Sequence, residues 1–390
     1  MRQIRSDIFE VGAIDWDRRL FDELVPLPNG TSYNAYLIKG SEKTALIDTV
    51  DPAKTSVLFD NLETAGETKI DYVICNHAEQ DHSGSIGFVL EKHPYAKVIT
   101  NDKCKQMLMS LLKIDEQKFT VINDGQELSL GNKTLRFIFT PWVHWPETMS
   151  TYLVEDKILF SCDFFGSHLA TSDLYIKNKE LVLEGAKRYY AEIMMPFRGV
   201  IKTNIEKIEA LDISIIAPSH GPLYDEPKFI IDAYKKWISD DVENKVVITY
   251  VSMHGSTKLM AEHLVETLME KGIGVEQFNL VGGDIGKLAI ELVDAATVII
   301  ASPTVLAGAH PAAAYAAFLF NALRPKTKYI SVIGSFGWGG RMLEQFRSIL
   351  TNTKAEILEP VIIKGEPTSE DYTKLDKLAD EIVNKHSNLK

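Results

Sequence analysis

From Lys245 onward the chain alternates strictly between two kinds of segment, and few folds accommodate that grammar. The runs KVVITYVS (245–252), GVEQFNL (274–280), ATVIIAS (296–302), KYISVIGS (328–335) and AEILEPVII (355–363) are short, apolar and rich in β-branched residues. Between and after them come helix-periodic stretches: 256–272, one ending near 294, one near 312–322, one at about 340–351 and a last one from about 368. A strand followed by a helix-length crossover must return parallel to itself. Five such units therefore predict a doubly wound five-stranded parallel α/β sheet.

The preceding residues read differently. Strand candidates YNAYLIKG, KTALIDTV, DYVICNH, AKVITN, LRFIFT, STYLVED and KILFSCD are separated by turns such as LGNKT, and several are close enough to pair as antiparallel hairpins. Helical patterns are expected at about 84–93, 101–112, 179–195, 203–211 and 227–239. This mixture predicts an α+β unit. The polar stretch ISDDVENK (238–245) marks the boundary, giving domains 1–243 and 244–390. Two domains also suit 390 residues, too many for one ordinary core.

Composition removes several functions. A formal charge of −12 argues against a nucleic-acid binder, whose affinity comes from Lys and Arg displacing counterions. The start MRQIRSDIFEVG lacks a signal-peptide core, and no apolar run reaches membrane length, so a cytoplasmic protein with no membrane partner is expected. The three cysteines, Cys75, Cys104 and Cys162, form no C-x-x-C pair, which excludes a disulfide scaffold and argues against a built-in iron–sulfur centre. Cys75 and Cys162 lie in apolar strands and read as small buried hydrophobes.

The stretch NHAEQDHSG (76–84) packs His77, Glu79, Asp81 and His82 into six positions directly after a strand. A loop there can aim alternate side chains at one point. Downstream, His144 in TPWVHWPETM, Asp163 in LFSCDFFGSH and His220 in IAPSHGPLY each end or follow a strand-like run. One strand-end histidine is ordinarily structural, but three further strand-end ligands after such a cluster point to a metal centre. Of the other histidines, His93 reads as a solvated turn, while His263 and His386 fall on exposed-looking helical patterns. His168 lies close after Asp163, where it either orients a ligand or caps; Trp145 and Tyr175 read as core residues with shielding of the site as the alternative.

The H-x-E-x-D-H cluster with the later His, Asp and His resembles the metallo-β-lactamase-like domain of the flavodiiron proteins, and the resemblance extends over the whole chain. It implies a metallo-β-lactamase-like αβ/βα sandwich followed by a flavodoxin-like domain. Related hydrolases carry H-x-H-x-D-H, with an imidazole where this chain has Glu79. A carboxylate there hardens the site and favours iron over zinc. The resemblance implies that His77, Glu79 and His144 bind one iron, that Asp81, His82 and His220 bind the second, and that Asp163 bridges them. Within the family the residue matching His82 does not always reach the metal.

The loops after the first, third and fourth strands of the second domain meet at the switch point of such a sheet, where flavodoxin-like folds hold FMN. The first, Ser252, Met253, His254, Gly255, Ser256 and Thr257, resembles the flavodoxin phosphate loop and opens a helix whose N-terminus favours an anion. Hydroxyl residues there also serve as plain helix caps. The second offers Pro303, Thr304, Val305, Leu306 and Ala307. The third, Ser335, Phe336, Gly337, Trp338, Gly339 and Gly340, lets backbone approach a flat ring, with Trp338 beside it or acting as a lid. No G-x-G-x-x-G fingerprint is present, so FMN is expected rather than a dinucleotide.

The implied activity is reduction of O₂ to water, of NO to N₂O, or both, at two non-haem irons fed by FMN. Rubredoxin or reduced coenzyme F420 is the implied external donor, and the implied assembly is a head-to-tail homodimer or a dimer of dimers. The alternative is a zinc-dependent hydrolase of the metallo-β-lactamase fold fused to a flavodoxin-like electron-transfer domain.

Overall fold

The structure, a computed structural model, describes residues 1–66 and 69–389. The chain divides into two compact units: Met1–Tyr190 with Phe197–Ile238, and Ala191–Pro196 with Ser239–Lys390.

In the first unit two sheets face one another. The larger has the order Arg2–Arg5, Ile8–Glu10, Tyr36–Lys39, Thr44–Ile47, Tyr72–Ile74, Lys97–Thr100, Phe119–Val121. It is antiparallel through Thr44–Ile47 and parallel beyond. The smaller runs Glu127–Ser129, Thr134–Phe139, Met149–Leu153, Ile158–Cys162, Ile215–Pro218, with only its last pair parallel. The strands of the larger sheet are apolar on both faces because both faces are covered. Tyr36, Ile38, Ile47, Ile74 and Ile99 pack against Phe137, Met149, Ile158 and Phe160 of the smaller sheet. Their alternates Leu37, Leu46, Val73 and Val98 pack against Leu58, Val89 and Leu108 of the helices Thr55–Thr64, Ile86–Lys92 and Asp102–Leu111. Each such side chain contributes roughly 2 kcal/mol on burial. Helix Thr55–Thr64 was not foreseen from the sequence. The segment expected as one helix over 179–195 is α-helical over Lys179–Tyr189 and continues as a π-helical turn, Tyr190–Met194.

The second unit is a parallel sheet in the order Gly274–Asn279, Glu243–Tyr250, Ala295–Val305, Tyr329–Phe336, then the last strand. Five helices alternate with the strands: Ser256–Glu270, Ile285–Leu292, Pro311–Leu323, Met342–Ile349 and Ser369–His386. The strand expected over 355–363 is split into Glu356–Ile357 and Val361–Lys364, both parallel to Tyr329–Phe336. Pro360 lies in the gap, where it has no N–H to give the ladder. A two-residue strand, Gly308–Ala309, pairs antiparallel with Thr304 and Val305. Among the described residues no helix is long and apolar enough to cross a membrane.

Candidate metal centre and anion-binding cleft

All seven expected ligands meet at one end of the sandwich. His77 and Glu79 leave the strand Tyr72–Ile74, and Asp81 and His82 sit in the short helix Gln80–Ser83 that follows. His144 comes from the connection between Thr134–Phe139 and Met149–Leu153, and His220 from just beyond Ile215–Pro218. Asp163 follows Ile158–Cys162, whose register shifts between Phe160 and Cys162. Cys162 then takes φ 55°, turning the chain so that Asp163 leaves the sheet edge. Strand ends supply the ligands because that is where backbone pairing stops and side chains can converge.

The geometry separates them into two triads around one carboxylate. His77 Nε2 and His144 Nε2 each lie 3.1 Å from Glu79 Oε2 and 3.5 Å from Asp163 Oδ2. On the other side His82 Nε2 is 3.0 Å and His220 Nε2 3.2 Å from Asp163 Oδ1. Those two nitrogens are also 3.2 and 3.3 Å from the two oxygens of Asp81. Asp163 is fully buried, with one oxygen turned to each triad.

Most of these atoms make no hydrogen bond at all. Both oxygens of Asp81 and of Asp163, and Nε2 of His82, His144 and His220, are buried without a partner. Such orphaning is costly unless something occupies the centre. The backs of two imidazoles are fixed: His77 Nδ1 donates to Glu147 Oε1 at 2.7 Å, and His220 Nδ1 donates to the Ser32 carbonyl at 2.7 Å. With each back nitrogen tied down, Nε2 of either ring is the atom turned toward the centre, the one a metal ion would take.

The electrostatics agree. Burial opposes a charged imidazole at His77, but the carboxylates of Glu147 and Glu79 raise it well above its ordinary value. Burial likewise opposes charge on His220, yet Asp163 and Asp81 carry it up to about 10. Asp163 is buried too, and His82 with His220 still hold it well below the usual carboxylate range. Glu79 is lowered in the same way, against burial, by His144 and His77. A divalent cation takes over the role these protonated imidazoles play for the carboxylates.

Cys162 also approaches His82 and Asp163. Burial and the charges of Asp48 and Asp163 push its thiol well above the ordinary value, so it stays a protonated, packed side chain. Trp145 packs against the core, as expected, and also sets its ring at 86° to His77 with centroids 5.0 Å apart. Tyr175 instead packs in the core between the two sheets. His168 is buried against His220, with ring centroids 4.2 Å apart, and its Nδ1 meets Thr31 Oγ1 at 2.8 Å. Burial and the neighbouring His220 keep it neutral.

Three residues near the metal centre had no pattern to betray them. Glu147 and Tyr189 are lone residues in a loop and a helix, and Tyr189 sets its ring edge toward both His144 and His220. Asp22 lies in a hairpin far away in sequence. It lines, with Arg18, Asp51 and Trp145, a cavity of about 290 Å³ opening onto Glu79 and Asp81. Burial, then Glu79 and Asp81, raise its carboxyl to about 6.

Of the remaining histidines, His93 accepts from the Ile70 N–H at 3.3 Å. His263 is only partly exposed and meets Asp376 at 2.7 Å. His386, expected on an exposed face, is buried; the last turn of its helix aims it between Asn244 and Thr297.

In the second unit a cleft of about 310 Å³ lies at the carboxyl ends of the first, third and fourth strands. Ser252, Met253, His254, Ser256 and Thr257 line it together with Pro303, Thr304, Ser335, Phe336, Gly337 and Trp338. Gly365, which the sequence did not single out, completes the wall. Gly255 takes φ 99° to turn the chain into the 15-residue helix Ser256–Glu270, whose first two residues line the cleft and whose start has no side-chain cap. Gly340 packs against Thr304 at the cleft's edge, and Gly339 takes φ 120° beside it. Val305 belongs to the small hairpin. Leu306 and Ala307, both at positive φ, form its two-residue turn.

Two family models match the chain: one described as ODP family beta lactamase over residues 31–221, and flavodoxin over residues 248–376. A nitric oxide reductase from Moorella thermoacetica is 34% identical over 97% of this chain and 97% of its own. A coenzyme F420H₂ oxidase from Methanothermobacter marburgensis is 31% identical over 91% of each. The solved rubredoxin oxygen:oxidoreductase of Desulfovibrio gigas superposes with a TM-score of 0.95 at 31% identity, covering 99% of this chain and 98% of that one. The flavodiiron protein of Giardia intestinalis does so at 0.91 and 28%, with the same coverage. With relatives of this identity spanning nearly its full length, and with both domains matched, the chain belongs to the flavodiiron protein family.

Proposed function

We propose that this protein reduces O₂ to water, NO to N₂O, or both, at a non-haem diiron centre supplied with electrons by FMN. The observation that carries the reading is Asp163, a buried carboxylate with one oxygen turned to each of two His–His–carboxylate triads. His77, Glu79 and His144 would hold one ion, Asp81, His82 and His220 the other, and Asp163 would join them. Three carboxylates among four imidazoles suit iron. Bound iron supplies one-electron redox chemistry and open coordination positions for a diatomic gas.

The chain's own residues do the rest. Glu147 and the Ser32 carbonyl fix two imidazoles, Trp145 lines the pocket, Tyr189 packs edge-on to His144, and Asp22 stands at the pocket's mouth. In the second unit, backbone N–H groups of the loop 252–257 and the helix start favour the FMN phosphate. The loop 335–338 and Pro303 would flank the ring. This assigns residues 1–243 to the diiron domain and 244–390 to the FMN domain, in keeping with the extents of the two family matches, although the compact units draw the boundary at Ser239 and count Ala191–Pro196 with the second.

Rubredoxin or reduced coenzyme F420 would deliver the electrons, as the names of two relatives suggest. A head-to-tail homodimer, alone or paired into a tetramer, would bring one chain's FMN to the other's iron. Trp338 at 81% and Leu306 at 94% exposure, both beside the flavin cleft, are the kind of apolar rim such an interface covers. A cytoplasmic setting fits three buried, unpaired thiols. Gas-electrode assays of anaerobically reconstituted protein, with O₂ and with NO, test the reading against each donor. Protein that binds two zinc ions and no iron, and hydrolyses a thioester or lactam instead, would overturn it.

A further inference from the structure

The two triads offer identical donors, two imidazoles and one carboxylate each, and share Asp163. The carboxylates differ in approach, Glu79 through one oxygen and Asp81 through both, and the imidazoles differ in what stands behind them. His77 gives its Nδ1 proton to Glu147 Oε1 at 2.7 Å. His220 gives its own to the neutral Ser32 carbonyl, and His82 Nδ1 has no partner. Glu147 is itself locked: its side chain is 0% exposed, and Oε1 also accepts the Ala78 N–H at 3.1 Å. Its other oxygen has no partner, and apart from the imidazole what bears on its charge is backbone N–H, from Ala78 and from Glu147 itself.

We propose that Glu147 is a positioning residue that makes His77 the strongest imidazole donor of the site, so that the ion on the His77 side keeps its ferric state to lower potential than its neighbour. The inference rests on the diiron reading above. A carboxylate drawing on the Nδ1 proton moves negative charge through the ring to Nε2. That charge stabilises Fe(III) more than Fe(II), and in a buried site it is poorly screened. Each reduction would pass one electron from the reductant, the flavin or dithionite, to one ion, Fe(III) + e⁻ → Fe(II). The ion beside Asp81, His82 and His220 is therefore reduced first.

The test is a dithionite titration, with redox mediators, of holoenzyme reconstituted with ⁵⁷Fe, read by Mössbauer and electron paramagnetic resonance spectroscopy. Wild type should show two separated one-electron steps for iron. Glu147→Gln keeps the shape and an acceptor oxygen but removes the charge; its lower midpoint should rise while the upper stays, narrowing the gap. Glu147→Asp, which restores the charge at shorter reach, should recover part of the gap and carries the test if the glutamine variant loses iron. Unchanged midpoints in an iron-replete Glu147→Gln, movement of the upper midpoint alone, or a Glu147→Asp as narrow as glutamine would each overturn the inference. Wild-type protein that never retains about two irons per chain defeats the diiron reading instead, a result distinct from all of these.

Discussion

A single carboxylate facing two triads makes the cost of losing it different from the cost of losing any other ligand. Asp163→Ala removes a donor from both groups and leaves four imidazoles without their shared counter-charge, so purified protein should retain almost no iron. Of the four imidazoles, Glu79 faces the two of one triad, His77 and His144. Glu79→Ala should therefore keep about one iron per chain where wild type keeps about two, measurable by plasma emission after desalting. A variant of Asp163 that holds both irons would sink the bridging role. His386 tests a different kind of burial. Its folded value near 4 lies below the ordinary 6.5 because burial disfavours the charged ring. The unfolded chain takes up that proton at higher pH, so stability is complete above about pH 6.5 and lost as pH falls toward 4. His386→Gln, able to bond both Asn244 and Thr297, should flatten the fall in melting temperature between pH 7 and 5. The sequence concealed this histidine because the helical pattern near the chain end does not say which stripe faces the sheet. It concealed Glu147 for a related reason: a lone acid two residues past Trp145 has no spacing that distinguishes a metal-site anchor from a solvated loop residue.

At the level of elements, the second unit was legible nearly in full, since helix-length crossovers between β-branched runs admit one sheet type and one handedness. What pattern alone could not supply were interruptions set by single residues. Pro360 splits the last strand, and Leu306 with Ala307 tighten into a hairpin turn without the usual Asn-Gly signal. In the first unit the strands that bear ligands were visible as apolar runs, whereas Thr55–Thr64 was not. Its helix opens after a separate turn capped by Asp51 and buries only Leu58 and Leu62, too narrow a stripe to stand out. The flavin cleft depends on one such local feature. Gly255 holds φ 99° where the loop enters the helix, and a Cβ there would meet no atom within 4 Å. The penalty for Gly255→Ala is thus backbone strain alone, about 1–3 kcal/mol. That should weaken FMN binding roughly tenfold, read by flavin fluorescence titration, while the metal content stays at the wild-type level.

At the scale of the whole molecule, the proposed head-to-tail dimer makes a quantitative demand on mixed chains. Asp163→Ala removes the metal centre and leaves the FMN domain intact. Ser256→Glu places a carboxylate where the helix start would otherwise receive the phosphate, and leaves the metal centre intact. Each homodimer should be inactive. Refolded or co-expressed together in equal amounts, half of the dimers pair one chain of each kind. In a two-fold assembly where flavin serves the opposite chain's irons, each mixed dimer regains one of its two working pairs. The mixture should therefore reach about a quarter of the wild-type gas-consumption rate. If electrons pass only within one chain, no pairing restores a working set, because every intact flavin then sits on a chain without iron. A mixture that forms mixed dimers by mass spectrometry but stays at background would rule out transfer between chains.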